Sequence, residues 1–473
     1  MQFDLKKSDR KATLDAILER LEGYYDDTAK FPVSPDIDVK EIKAFINEQS
    51  LQSGGNYAAA IESVFKGLEE YAVHTPHPKY FGLFNPRPNF AGIISELIAA
   101  YYNPQLAAWS HAPFAVEVET KIIKEFANLF GYSNDKSDGV FCSGGNEANQ
   151  TAVLCALNHK YPDFARDGLL GTKKRPIIFC SKEAHHSVHK AAKTAGLGYN
   201  SVIPIPVDED LKLDAAELSI ALDNCRKNNT DPLMIIGTAG TTGTGAIDDL
   251  EGISKIAKNH NIWFHVDAAY GGAAILSHTL KNQLKGIEYS NSITFDAHKW
   301  MSVPMGTSIF ITSDTDILGR TFSISTQYMP KDAEKLEIKD PFSHSIQWSR
   351  RFIGLKVYLS LLFYGWDGYD DIISHQAHMG ELLRKKLSQN GWTIMNNTAL
   401  PVICFTDEKH GKDENFTKTI LEKIYQSQKS WISIYPVKNI NTFRACITNY
   451  NTAENDLDEL VSELNNERKK YLK

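Results

Sequence analysis

A chain of 473 residues has room for one large α/β domain with appendages, or for about three average domains. Its 42% hydrophobic and 23% charged residues are ordinary globular usage, which excludes disordered, collagenous and fibrous classes. A formal net charge of −7 leaves no basic footprint for nucleic acid or an anionic membrane surface, so the expected partner is a small molecule or another protein.

The N-terminus "MQFDLKKSDRK" has no apolar signal region, and the most apolar long stretch, Gly354–Trp366, carries a lysine and is too short to span a bilayer. A cytoplasmic protein is expected. Apolar spacing in "KATLDAILERLEG" predicts a helix, and "FPVSPDIDVKEIKAFI" predicts a second after two prolines, so residues 1–75 read as a helical arm. Between Gly139 and Ile311 the runs "GVFC", "PIIFC", "SVIPI", "LMIIG", "IWFHV", "SITF" and "TSIFI" predict strands, most of them separated by helical stretches such as "EGISKIAKNHN". Continuous apolar strands alternating with helices predict a mostly parallel sheet covered on both faces. After the helical "RRFIGLKVYLSLLFYG" come a helix, four strands and a last helix, so the chain divides into a large domain, 76–370, and a small α/β domain, 371–473. The six cysteines are scattered, form no C-x-x-C pair and lie mostly in apolar runs, as buried free thiols do.

Chemistry concentrates where strands end. Lys299 follows "SITF", and Asp267 closes the apolar "WFHVD"; groups at the carboxyl ends of parallel strands face the ligand crevice of an open α/β sheet. A lone lysine after a strand usually extends its ammonium to water. Paired with an acid at a neighbouring strand end, it supplies what pyridoxal 5'-phosphate needs: an imine-forming lysine and a partner for the pyridine nitrogen. Ser143-Gly144-Gly145-Asn146, between a strand and a helix, offers either a phosphate cradle or an ordinary tight turn. His185 stands past another strand, as a ring to stack on a cofactor or as a hydrogen-bonded cap. Thr241 and Thr242 occupy a small-residue loop after a fourth strand.

With "HPKYFGLFNP", "SGGNEAN", "AHHSV", "GTAGTTGTGAID", "HVDAAYGG", "DAHKW" and "SRRFIGLKVY" in this order, the chain resembles the group II pyridoxal-phosphate-dependent amino-acid decarboxylases over nearly its whole length. The resemblance implies a fold-type-I aminotransferase-like architecture and a homodimer with shared active sites. It makes Lys299 the covalent anchor of the cofactor, Asp267 the partner of its ring nitrogen and His185 the ring stacked on it. Gly145, Asn146 and His298 fall on phosphate-contacting positions, with Gly144 in the same turn, while Thr242 and Ala269 lie beside the ring. Tyr328, in the charge-rich segment Gln327–Ser345, matches the tyrosine of a mobile lid that protonates the substrate carbon. Asp296 departs from members that have asparagine near the phosphate, and a carboxylate there repels the phosphate unless another group compensates.

The pocket segments offer Leu83, Phe84, Asn85, Ala107 and His111, with Ala107 in the segment expected from a partner subunit. Aromatic-specific relatives have bulkier aromatics at the positions of Leu83 and Ala107, so a wider or differently shaped pocket is expected. Phe84 is a pocket wall or core packing. An aromatic or other large apolar L-amino acid is the favoured substrate, and Arg87 keeps an acidic one in view. Arg444 in the small domain keeps an aminotransferase in view, because aminotransferases hold a carboxylate-binding arginine there; Tyr328 and the motif order favour the decarboxylase. Tyr328 also argues against an aldehyde-forming relative, and retention of Lys299 and Asp267 argues against a catalytically silent scaffold.

Overall fold

The computed structural model describes residues 4–52, 54–324 and 338–472. Helices α1 (Lys7–Asp27), α2 (Val39–Asn47) and α3 (Tyr57–Glu70) form the arm, and none of their residues is buried. Arg20 of α1 clasps Glu62 and Glu69 of α3 at 2.5 and 2.8 Å. Arg87 ties the arm to the body, donating to the Tyr25 carbonyl at 2.6 Å with its guanidinium 3.7 Å above the Tyr25 ring. Arg87 is thereby committed to the arm.

The body opens with α4 (Phe90–Tyr102), capped by Asn89, and α5 (Pro113–Leu129). There follow β1 (Asp138–Cys142), α6 (Gly145–Lys160), the single turn α7 (Phe164–Asp167), β2 (Pro176–Ser181), α8 (Ser187–Thr194), β3 (Val202–Ile205), α9 (Ala215–Lys227) and β4 (Asp231–Thr238). Then come α10 (Leu250–His260), β5 (Trp263–Asp267), β6 (Ser292–Asp296), β7 (Ser308–Thr312) and α11 (Ile317–Phe322). Each of the seven apolar runs is a strand of one sheet, in the order β1-β7-β6-β5-β4-β2-β3. The pairs from β3 to β6 are parallel, and only β7 runs against its neighbours β1 and β6. Both faces are covered, which is why all residues of β2, β5, β6 and β7 are buried and read as unbroken apolar runs rather than as alternation.

Helix α12 (Leu355–Gln389) carries the chain across residue 370. The two helical patterns of the sequence are two helices that meet at Gly365, whose φ of 62° and ψ of −174° are non-helical, and the second of them crosses residue 370. The remainder is β8 (Trp392–Ile394), β9 (Val402–Asp407), α13 (Glu414–Ser427), β10 (Ser433–Val437), β11 (Ile440–Cys446) and α14 (Glu454–Tyr471), with an antiparallel sheet ordered β10-β11-β9-β8. Trp392, Phe405, Phe416, Phe443 and Leu460 fill its own core. All six cysteines are free and buried, as expected. Among the described residues no helix is long and apolar enough to cross a membrane.

Candidate active site

Because β2, β4, β5 and β6 run parallel, and β1 and β6 both oppose β7, the carboxyl ends of these strands share one edge. That edge collects the Ser143–Asn146 turn after β1, His185 after β2, Thr241 and Thr242 after β4, Asp267 at the end of β5, and Asp296 with Lys299 at and after the end of β6. Asp267 lies in register with Thr294 on the adjoining strand, so the acid and the lysine leave neighbouring strands.

Asp267 is buried, and both of its oxygens are held by neutral donors: Asn149 Nδ2 at 2.8 Å and the Ala269 amide at 3.2 Å. His185 accepts from the Ser187 amide at 3.2 Å; burial lowers its pKa, opposed by the negative charge of Asp267 and reinforced by Lys299. Lys299 places Nζ 3.2 Å from Asp296 Oδ2. The other oxygen of Asp296 has no hydrogen-bond partner among the described residues.

The turn after β1 opens α6 at Gly145, where the first amides of the helix have no intrahelical acceptor. A Cβ at Gly145 would stand 2.8 Å from Asp296 Oδ2, so only glycine lets this helix start pass so close to the strand end. Asn146 is half-buried, as is Thr242, whose loop turns at Gly240 with φ 93°. His298 is buried; its Nδ1 meets the Thr307 carbonyl at 2.8 Å and its Nε2 lies 3.8 Å from Asp296. Tyr328 lies outside the described residues. Of its segment, the part after residue 337 is anchored by Lys339 to Asp138 at 2.5 Å and by the Phe342 amide to the Ala107 carbonyl at 3.0 Å.

Across from Lys299 stands Phe84, its ring stacked 3.8 Å from Tyr270, which in turn stacks on Trp300 at 5.3 Å. Phe84 is therefore both core and wall: Lys299 Nζ and the Arg444 guanidinium lie over its ring at 5.8 and 5.1 Å. Leu83 is 50% exposed, and Asn85 accepts from the Tyr80 hydroxyl at 3.2 Å. Ala107 is buried and bonds to the Phe342 segment rather than to the Lys299 cluster, and His111 is exposed. Arg444 is buried; it donates to the carbonyls of Gly243 at 3.0 Å and Gly82 at 2.9 Å, and among the described residues it bonds to no acid and its Nη2 has no hydrogen-bond partner.

Sequence reading singled out neither Asn149 nor His265. The signals were present: Asn149 is four residues past Gly145 on one helix face, and His265 shares with Asp267 one face of β5. It also passed over Asp248, which accepts from the Leu213 and Thr238 amides, both at 2.7 Å, and braces the loop of Thr242; burial pushes its pKa up to about 6.

A flat ring with a basic nitrogen and a phosphate fits this edge: a buried carboxylate held by two donors, a lysine at the next strand end, and a helix N-terminus lined by glycine. Comparison with known proteins agrees. The model of the pyridoxal-dependent decarboxylase conserved domain matches residues 40–407. The L-aspartate decarboxylase dtxS4 of Metarhizium robertsii is 30% identical over 335 residues, 70% of this chain and 66% of that protein. The aromatic-L-amino-acid decarboxylase of Bacillus atrophaeus is 26% identical over 441 residues, 92% of this chain and 90% of that protein. The crystal structure of mouse CSAD in apo form matches with a TM-score of 0.88 at 26% identity, covering 97% of this chain and 99% of that one. The chain thus belongs to the pyridoxal-dependent decarboxylase family, with the fold-type-I architecture that its motifs implied, and is a carboxy-lyase of amino-acid metabolism that uses pyridoxal 5'-phosphate.

Proposed function

We propose that this protein removes the α-carboxyl group of an L-amino acid bearing an aromatic or other large apolar side chain, releasing carbon dioxide and the amine. The observation that carries this reading is the apolar wall beside Lys299, where the Phe84 ring lies 5.8 Å from Nζ and half-exposed Leu83 precedes it in sequence. In the assigned roles Lys299 anchors the cofactor covalently and Asp267 keeps its ring nitrogen protonated. His185 stacks on the ring, with Thr242 and Ala269 beside it. Gly144, Gly145, Asn146 and His298 hold the phosphate. Bound there, the cofactor accepts the electron pair left as the carboxyl group departs. The residues choose among reactions by orientation, holding the bond to the α-carboxylate perpendicular to the ring. Tyr328 delivers the proton to the α-carbon.

The protein works as a cytoplasmic homodimer with shared sites, built as an arm (1–75), a cofactor-binding domain (76–370) and a small domain (371–473). Support for the dimer comes from large apolar side chains left in solvent on α4, α5 and α12, among them Tyr101, Tyr102, Phe114, Leu362 and Phe363. In such a dimer Ala107 lines the partner's site.

A second reading, an acidic substrate, has its own observation. Arg444 Nη2 is buried without an acceptor among the described residues, and both cations lie over one ring, so Lys299 and Arg444 are within about 11 Å of each other, the sum of their distances to Phe84. A side-chain carboxylate two or three bonds from the α-carbon reaches into that interval. Assaying amine formation across all common L-amino acids separates the readings: aromatic or large apolar amines favour the first, whereas aspartate or glutamate turnover that disappears in Arg444→Met establishes the second. No amine from any of them overturns both.

A further inference from the structure

Behind Asp267, on the side away from the crevice, lies a buried row of polar side chains that the reaction as described does not use. Asn149 reaches Asp267 from α6, with Nδ2 at 2.8 Å from Asp267 Oδ2 and 2.9 Å from Ser187 Oγ. Its Oδ1 is met by Thr294 Oγ1 at 2.8 Å and by His265 Nε2 at 3.1 Å. His265 Nδ1 lies 2.8 Å from Ser292 Oγ, which also receives the Trp263 indole N–H at 2.9 Å. Asn149, Ser187, Trp263, His265, Ser292 and Thr294 are all buried. Buried polar groups of this kind find their partners among themselves, and each bond of the row joins two of its members or Asp267.

Hydrogen-bonding capacity then sets the direction of the row, in which Thr294 Oγ1 also lies 3.3 Å from His265 Nε2. An ionised Asp267 only accepts, so the amide of Asn149 must turn its nitrogen toward Asp267 and its oxygen toward His265 and Thr294. That oxygen also only accepts, so His265 must carry its proton on Nε2. Nδ1 is then an acceptor, and Ser292 must donate to it, which leaves the Ser292 oxygen to receive the indole N–H of Trp263. Burial keeps the ring neutral, with its pKa lowered to about 4, so His265 does not become a double donor near neutrality. All the dipoles point one way, from Trp263 through Ser292, His265 and Asn149 to the carboxylate.

We infer that Trp263, Ser292, His265 and Asn149 form a one-directional hydrogen-bond relay that holds Asp267 ionised and aimed, and that Asn149 and His265 are positioning residues for the cofactor's ring nitrogen. A proton moving from that nitrogen to Asp267 would turn the bond from Asn149 from a charge-assisted one into a weaker neutral one, so the relay favours the proton on the ring. The inference rests on the reading of Asp267 as the ring-nitrogen partner.

The test compares binding of pyridoxal 5'-phosphate with that of its analogue in which CH replaces the ring nitrogen, by competition titration starting from the holoenzyme. The unmodified protein should prefer the natural cofactor. In Asn149→Leu, which keeps the branched outline and removes both the donor to Asp267 and the acceptor for His265, the natural cofactor should bind about 10- to 100-fold more weakly while the analogue binds as before, since the lost bond is one to a charged group. Ser292→Ala, a small change at the far end of the row, should reduce the same preference less. If Asn149→Leu fails to fold, Ser292→Ala decides alone. Equal weakening of both ligands, or an undiminished preference in the variants, overturns the relay. Absence of any preference in the unmodified protein overturns the reading of Asp267 itself.

Discussion

The ends of β5 and β6 each present a buried aspartate to the same crevice, and the two are held in opposite ways. Asp267 has both oxygens satisfied by neutral donors fixed in the scaffold, Asn149 and the Ala269 amide. Asp296 has one oxygen on the Lys299 ammonium at 3.2 Å and the other without a partner among the described residues. A carboxylate bonded to immobile neutral groups keeps its charge and direction whatever happens nearby; one bonded to a reactive amine changes partner whenever that amine does. The first arrangement suits a fixed counter-charge to a ring nitrogen, and the second suits a temporary seat for the lysine when substrate takes its place.

Removing the mobile partner is the most severe way to break this contrast: Lys299→Ala should abolish amine formation in a carbon dioxide release assay and leave the cofactor bound only non-covalently, visible as its loss on gel filtration. Removing the fixed acid comes next. Asp267→Ala should lower kcat by about 10²- to 10³-fold, the range for losing one preorganised electrostatic partner, and should weaken cofactor binding. Near-normal turnover would show that the charge at the end of β5 is not the one that matters.

The scaffold behind Asp267 leaves a mark on stability as well. Unfolded, His265 takes up a proton below its ordinary pKa of 6.5, whereas folded it stays neutral down to about 4. The unfolded chain therefore binds more protons across that window, so this contribution to stability, complete above 6.5, is lost as pH falls through it, by about 3 kcal/mol at the lower end. Asp248, raised from 3.8 to about 6, acts with the opposite sign over an overlapping range. The measurement is accordingly the difference in urea midpoint between the protein and His265→Gln from pH 7 to 4, which should shift in favour of the variant as pH falls; a constant difference contradicts a buried neutral His265.

The smallest effect sharpens the other side of the comparison. Asp296→Asn removes a negative charge 2.8 Å from where a Cβ on Gly145 would lie, next to the proposed phosphate seat, and should tighten cofactor binding severalfold, about 1 kcal/mol for one charge at partly screened distance. Weaker binding would mean that Asp296 helps to hold the phosphate, and unchanged binding that its charge does not bear on it.

Much of this was legible in the sequence, for identifiable reasons. Strands buried on both faces announce themselves as unbroken apolar runs, so "IWFHV" and "SITF" located β5 and β6, and with them the strand ends that carry Asp267 and Lys299. What stayed hidden depends on contacts between distant positions. Arg444 meets the Gly82 carbonyl across 362 residues, so no inspection of the segment around Leu83 could show a guanidinium beside it. Asn149 sat inside the quoted "SGGNEAN", but its bond to Asp267 joins a helix to a strand 118 residues on. The two helical patterns near residue 370 were legible, but their junction is Gly365, whose φ and ψ are non-helical, so the second helix starts before residue 370 and runs across it.

Lys299 is the reacting centre only if the cofactor attaches there. Borohydride reduction of the holoenzyme, followed by proteolysis and peptide mapping, should place the pyridoxyl label on the peptide containing Lys299 and on no other. A label on any other lysine would contradict the assignment of the carboxyl edge of β6 as the reacting centre.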